Sequence, residues 1–257
     1  MATNQRSQIQ AVRKRIVPVA QTSPYIRALF YGYNGRGKTR LAATGPKALV
    51  VDINEKGTKS IRSYTGVDLF ETEKWEDVTY LYWFLRSADH SYETVVIDTA
   101  TSLADVCLSH VLKEAGDRDP LRDPATASQR DWGKVAKLMG DLILRYRNLP
   151  MHVVFLSQVR AVDDEESGET LKVPDLSPKP RGILMSAVDI IGYLYKTEVR
   201  VVNRKTKRET KDWETRLLTG PHNIYPTKDQ TGALPRIMRA PTMPQIIELN
   251  NNGGSNG

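Results

Sequence analysis

Cysteine is nearly absent: Cys107 stands alone among 257 residues. Internal disulfides and zinc sites built on paired cysteines are therefore excluded, and a reducing, cytoplasmic setting is expected. No apolar run approaches the roughly 20 residues that a membrane-spanning helix needs. The first residues are polar and basic and do not read as a secretory signal, so no membrane partner is expected. Acid is missing from residues 1–24, which hold Arg6, Arg13, Lys14 and Arg15. No internal repeat is visible.

What is present is ordinary globular composition, 40% hydrophobic and 26% charged, in a chain long enough for one large α/β domain. The net charge of +7 is unevenly spread. Residues 1–24 contribute +4, and residues 196–216 carry eight Lys/Arg against four Asp/Glu. Such concentrations suit a polyanionic partner, whose phosphates would be neutralised there. They equally suit a solvated tail and a charged hairpin turn.

Residues 1–24 show no periodicity and read as a flexible basic arm, within which RIVPVAQ has the composition to add as a strand to a neighbouring subunit. Residues 25–249 form the folded domain, and 250–257 (NNNGGSNG) read as a disordered tail. Short Val/Ile/Leu-rich runs at 26–31, 48–52, 94–98 and 152–157 predict strands buried on both faces. Helices are predicted between them at 38–44, 74–88, 100–115 and 131–148. This alternation implies a parallel sheet with right-handed crossovers. Residues 161–182, with three prolines and little apolar content, read as a long mobile loop. Antiparallel strands are expected at 188–203 and 213–219, around a basic turn.

The most specific motif is Gly32-Tyr33-Asn34-Gly35-Arg36-Gly37-Lys38-Thr39, which fits G-x-x-x-x-G-K-[ST] at every fixed position. It lies between a predicted strand and a predicted helix start. There its backbone N–H groups form an anion nest at the helix's positive end. The nucleotide-binding set is thus Gly32 through Arg40. Lys38 is placed to reach the β/γ-phosphates, and the Thr39 hydroxyl to ligate Mg2+. Asp98, at the end of the TVVID strand, is the second metal residue, and it also has the position of a helix N-cap. Glu55, three residues beyond the strand-ending Asp52, is the candidate general base. Asp52 is the fallback, or a helper that fixes the loop. Gln158, closing HVVFLSQ, is an uncharged amide at the same sheet edge, suited to sense the γ-phosphate and report to the following loop.

These elements, in this order, resemble the RecA-like core ATPases. Within them the chain is similar to the short phage-encoded members associated with single-strand annealing proteins, the Sak group. The resemblance runs from about Ile26 to Pro235. It is carried by ETVVIDTATSL, WGKVAKLMGDLILRYRNLPMHVVFLSQVR and SAVDIIGYLY. It implies a RecA-like P-loop core, α/β with a mostly parallel sheet flanked by helices and antiparallel strands added at the C-terminal side. It also implies a ring or filament of identical subunits, single-stranded DNA bound along two loops, and a single-stranded-DNA-binding or annealing protein as partner. The DNA loops would be 116–131, with Arg118, Arg122 and Arg130, and 161–182, with Lys172, Lys179 and Arg181. Trp132 offers either a stacking surface or a core residue.

Three departures stand out. The second loop opens on Asp163, Asp164, Glu165 and Glu166, which repel a DNA backbone. The spacing Asp52-Ile-Asn-Glu55 is one residue longer than the family's Asp-x-Glu. Lys228 matches the basic residue expected to complete a neighbour's site, but Gln230 stands where arginine is expected. The leading expectation is a Mg2+-ATP-dependent, DNA-stimulated ATPase of recombination, annealing or replication. A non-hydrolysing ATP switch that loads or assists an annealing protein, and a small-molecule phosphotransferase, remain as alternatives.

Overall fold

The computed structural model describes residues 2–16, 18, 23–87, 89–123, 126–164, 168–202 and 209–253. Its centre is a sheet in which six strands run parallel. In spatial order these are β3 (Val67–Thr72), β2 (Ala48–Ile53), β4 (Thr94–Asp98), β5 (His152–Ser157), β1 (Arg27–Tyr31) and β8 (Ile190–Val202). Antiparallel β9 (Glu209–Leu218) and β11 (Ile237–Arg239) extend the C-terminal side, and β10 (Lys228–Asp229) pairs with the start of β8. Strands β2, β4 and β5 are buried at every residue, which is why their sequences are continuous rather than alternating.

Both faces are covered. On one, Leu103 of α4 (Ala100–Arg118), Met139 and Ile143 of α5 (Gln129–Arg147) and Leu184 of α6 (Pro178–Ala187) pack with Leu29, Ile97 and Phe155, together with α3 (Trp75–Ser87). On the other, Leu41 of α2 (Lys38–Ala42) and Met243 and Ile246 of α7 (Met243–Gly253) pack with Phe30, Val154 and Leu156. Among the described residues no helix is long and apolar enough to cross a membrane. The arrangement is the expected α/β core, a mostly parallel sheet flanked by helices with antiparallel strands at the C-terminal side, and its strand order has one consequence for the site. Because β5 lies between β1 and β4, the residue after β5 emerges between the glycine-rich loop and Asp98.

The segment read as a loop at 161–182 is structured over its described residues. β6 (Val159–Asp163) and β7 (Thr170–Pro174) form a separate antiparallel hairpin, and α6 follows. Pro178 and Pro180 do not oppose that helix, because first-turn N–H groups lack intrahelical acceptors anyway. Glu165 and Glu166 lie outside the described residues, as does the basic turn at 203–208. The arm read as aperiodic contains α1 (Ala2–Arg13), whose Ile9 and Val12 are exposed, while most of RIVPVAQ is outside the described residues. The expected tail begins within α7, which Met243 and Ile246 anchor through to Gly253; residues 254–257 are outside the description.

Candidate nucleotide site

Buried β1 delivers the glycine-rich loop to the C-terminal edge of the sheet. Gly35 (φ 72°) and Gly37 (φ 96°) occupy the left-handed region that lets successive N–H groups turn inward. Gly32 is required for a different reason: a Cβ there would lie 2.4 Å from the Leu194 carbonyl oxygen of β8, a backbone atom that cannot move aside. Lys38 opens α2 and is 6% exposed. Its ammonium donates to the carbonyls of Gly32 (2.8 Å) and Tyr33 (3.3 Å) and to Gln158 Oε1 (3.0 Å). Burial lowers its pKa, against the opposing pull of Asp98 and Glu55.

The Thr39 hydroxyl donates to Asp98 Oδ2 at 2.6 Å. Burial pushes the Asp98 carboxyl up to about 6, the Thr39 bond opposes this, and the nearby charges of Glu55 and Asp52 add to it. Asp98 is not the helix cap. Thr99, joined to it by a cis peptide bond, accepts from Ser102 N and caps α4, so the Asp98 carboxylate is left for other work.

Glu55 reaches the same cleft. Its Oε1 accepts from the Thr99 hydroxyl (3.0 Å) and the Ser102 hydroxyl (2.6 Å). Asp52 takes the helper role: its Oδ1 accepts from the backbone N–H of Glu55 (2.9 Å) and Lys56 (3.1 Å). The extra residue in the spacing is absorbed by Asn54 and Lys56, which flank Glu55 at φ 57° and 51°. Gln158, emerging after β5, contacts Lys38 through its side chain, and its backbone carbonyl accepts from Asp175 N (2.9 Å), just beyond β7.

Lys38, Thr39, Glu55, Asp98, Thr99 and Gln158 line one cleft of about 780 Å³ together with Gly35 and Gly37. Its chemistry fits a nucleotide with Mg2+. Thr39 and Asp98 supply hard oxygen donors, and three carboxylates converge where one lysine is the buried cation. Among the described residues no group of three or more His, Cys, Asp or Glu closes on a metal alone. That suits Mg2+, which is held by one or two protein oxygens plus phosphate and water. Sequence reading missed Thr99 and Ser102, although the hydroxyl-rich DTATS after β4 signals them. It also missed Tyr64, Lys196, Trp213, Thr215 and 240–242, which line the cleft from distant parts of the chain.

The other expected residues lie elsewhere. Lys228 is not at the cleft: its ammonium donates to the carbonyls of Val188 (2.6 Å), Met185 and Ser186 (both 3.4 Å), closing the C-terminal end of α6. Gln230 is exposed. Arg122 is held by Asp131 and by the Thr126 carbonyl (2.9 Å), and is thus engaged within the chain rather than offered to phosphate. Arg118 pairs with Glu114 at 3.6 Å. Arg130 and Lys179 are exposed, Lys172 is half-buried, and Arg181 is half-buried near Arg160 and Asp175. Trp132 is 47% exposed, so it is not core.

Among curated proteins nothing matches. In solved structures the chain is similar to the flagellar accessory protein FlaH from Methanocaldococcus jannaschii, at 8% identity and a TM-score of 0.37, over 75% of this chain and 76% of that one. A family model described as an AAA domain matches residues 25–231, the whole span from β1 past the cleft-lining ribbon of β8 and β9. The chain belongs to that AAA domain family, and its glycine-rich cleft is that of a P-loop ATPase domain.

Proposed function

We propose that the chain hydrolyses Mg2+-ATP and binds single-stranded DNA, acting in recombination, annealing or replication of phage DNA. Glu55 carries the reading. Its Oε1 is saturated by two hydroxyls, so the carboxylate is fixed in orientation, and Oε2 takes no part in the described hydrogen bonds. Oε2 is the atom that accepts the proton of the attacking water. Lys38 exchanges its carbonyl and amide acceptors for phosphate oxygens, while Thr39 and Asp98 hold the metal. Bound Mg2+ supplies charge neutralisation across the phosphates.

DNA binding is supported by the basic residues of the two segments flanking α5 and β5, of which Arg118, Arg130 and Lys179 are the exposed members. The Lys38–Gln158–Asp175 series of bonds connects the phosphate loop to the second of those segments. A homo-oligomer and a single-stranded-DNA-binding or annealing protein as partner belong to the same reading and rest on the sequence resemblance.

The test is ATP turnover with and without single-stranded DNA, wild type beside Lys38→Ala, at two salt concentrations. Stimulation that weakens with salt and vanishes in the variant is expected. Turnover indifferent to DNA would sink the DNA half of the proposal. The Gln158 connection also favours a second reading, in which nucleotide binding alone switches the hairpin. Glu55→Gln separates the two: a turnover loss of about a hundredfold or more with binding intact marks the hydrolase, and an unchanged DNA response marks the switch.

A further inference from the structure

We propose that Lys196 is a second phosphate-binding cation of the cleft, supplied by the same chain on the β8–β9 ribbon. This rests on the nucleotide reading above and adds to it a residue outside every motif of the sequence.

Three observations converge. Lys196 lies directly opposite Thr215 in the β8–β9 register, and both line the cleft beside Gly35, Gly37 and Lys38. Thr215 lies close to the phosphate loop: a Cβ on Gly37 would stand 3.8 Å from its Oγ1 and 3.9 Å from its Cγ2. The ribbon therefore passes beside the loop, with Lys196 across from Thr215. Neighbouring charges of the ribbon are paired, Lys211 with Glu198 at 2.8 Å and Arg216 with Glu214 at 2.6 Å. Lys196, half-buried, has no ion pair or side-chain hydrogen bond among the described residues.

An uncommitted ammonium at a phosphate nest has an evident chemical use. A triphosphate carries more negative charge than Lys38 and one divalent ion neutralise, and the surplus needs a positioned cation. Lys228, the candidate for that role from a neighbouring subunit, lies outside this chain's own cleft and donates to the α6 carbonyls. Lys196 is a further cation that the cleft contains in cis, beside Lys38 and Arg40 of the loop and its helix.

The experiment measures binding of ATP and of inorganic tripolyphosphate, which has no base, to wild type, Lys196→Ala and Lys196→Arg over a range of salt. Loss of one charge-assisted contact should weaken both ligands in Lys196→Ala by about ten- to hundredfold. It should also flatten the salt dependence, and Lys196→Arg should restore most of both. Weakening for ATP alone would place Lys196 on the base or sugar and overturn the proposal. So would equal affinities in wild type and Lys196→Ala. A wild type that binds neither ligand would instead sink the nucleotide reading beneath it. Mixing Lys196→Ala with Lys38→Ala protein tests the cis placement. No recovery of turnover is expected, and recovery would show the lysine acting between subunits.

Discussion

Asp98 shows what the site costs the fold. Its carboxyl titrates at about 6 because it is buried beside other acids, well above the ordinary value of 3.8. Its ionised form therefore opposes folding above that pH, and the opposition fades between about pH 6 and pH 4, where the unfolded carboxyl also becomes protonated. Asp98→Asn should stabilise the ligand-free protein at pH 8 by about 2–3 kcal/mol, and by progressively less as the pH falls. The same variant should lose the rise in Tm that Mg2+-ATP gives the wild type. Thermal melts at pH 8 and pH 5, with and without Mg2+-ATP, check both halves; a destabilised variant at pH 8 would contradict the account. Asp131 shows the opposite sign. The Arg122 guanidinium, then the Ser128 hydroxyl, hold its carboxyl well below the usual range. That stabilisation is present above about pH 4 and is lost as pH falls further. Arg122→Ala should move acid unfolding to higher pH and loosen the capping box of α5, while leaving the salt slope of DNA binding unchanged. A slope reduced by about one charge would return Arg122 to the phosphate-contacting set.

Among the elements, the loop after β2 does the most for the site relative to its size. It holds Glu55 between two non-glycine residues in the left-handed region, tied down by Asp52. Lys56 gains little there, since its pairing with Glu73 at 3.6 Å is solvent-exposed. Lys56→Gly should raise stability by about 0.5–1 kcal/mol in urea titrations, because glycine relieves the strain. A loss of stability would mean that the lysine side chain matters more than its backbone. The same scale shows what a sequence makes legible. Strands β1, β2, β4 and β5 are continuous apolar runs because both their faces are buried, and the phosphate loop follows from spacing alone. Strand β3 sits at the sheet edge with Asp68, Leu69 and Glu71 exposed, so VDLFET carries no clean period. Helix α6 hides behind prolines that a first turn tolerates. The β6–β7 hairpin lies off the main sheet, with few of its side chains fully buried, and so gives no alternation of apolar and polar residues. Lys196, Trp213 and Thr215 were illegible for another reason: only the pairing of β8 with β1 brings them to a loop some 160 residues earlier.

At the scale of the molecule, the sheet order decides which residues meet. With β5 between β1 and β4, Gln158 stands beside Lys38, and the chain then leaves the sheet for the β6–β7 hairpin. On the proposed mechanism ATP would draw Lys38 away from Gln158, so hydrogen exchange across Val159–Pro174 should change when ATP is added to wild type and stay constant in Lys38→Ala. An unaltered hairpin in the wild type would disconnect it from the site. The resting contacts of Lys38 also bear on how a turnover ends. In the ligand-free loop its ammonium already has three acceptors, two carbonyls and an amide. If the cleft hydrolyses ATP as proposed, these acceptors stay within reach of Lys38, so a departing product would leave no bare buried charge behind. Product release would then return the lysine to a ready-made berth of two carbonyls and an amide.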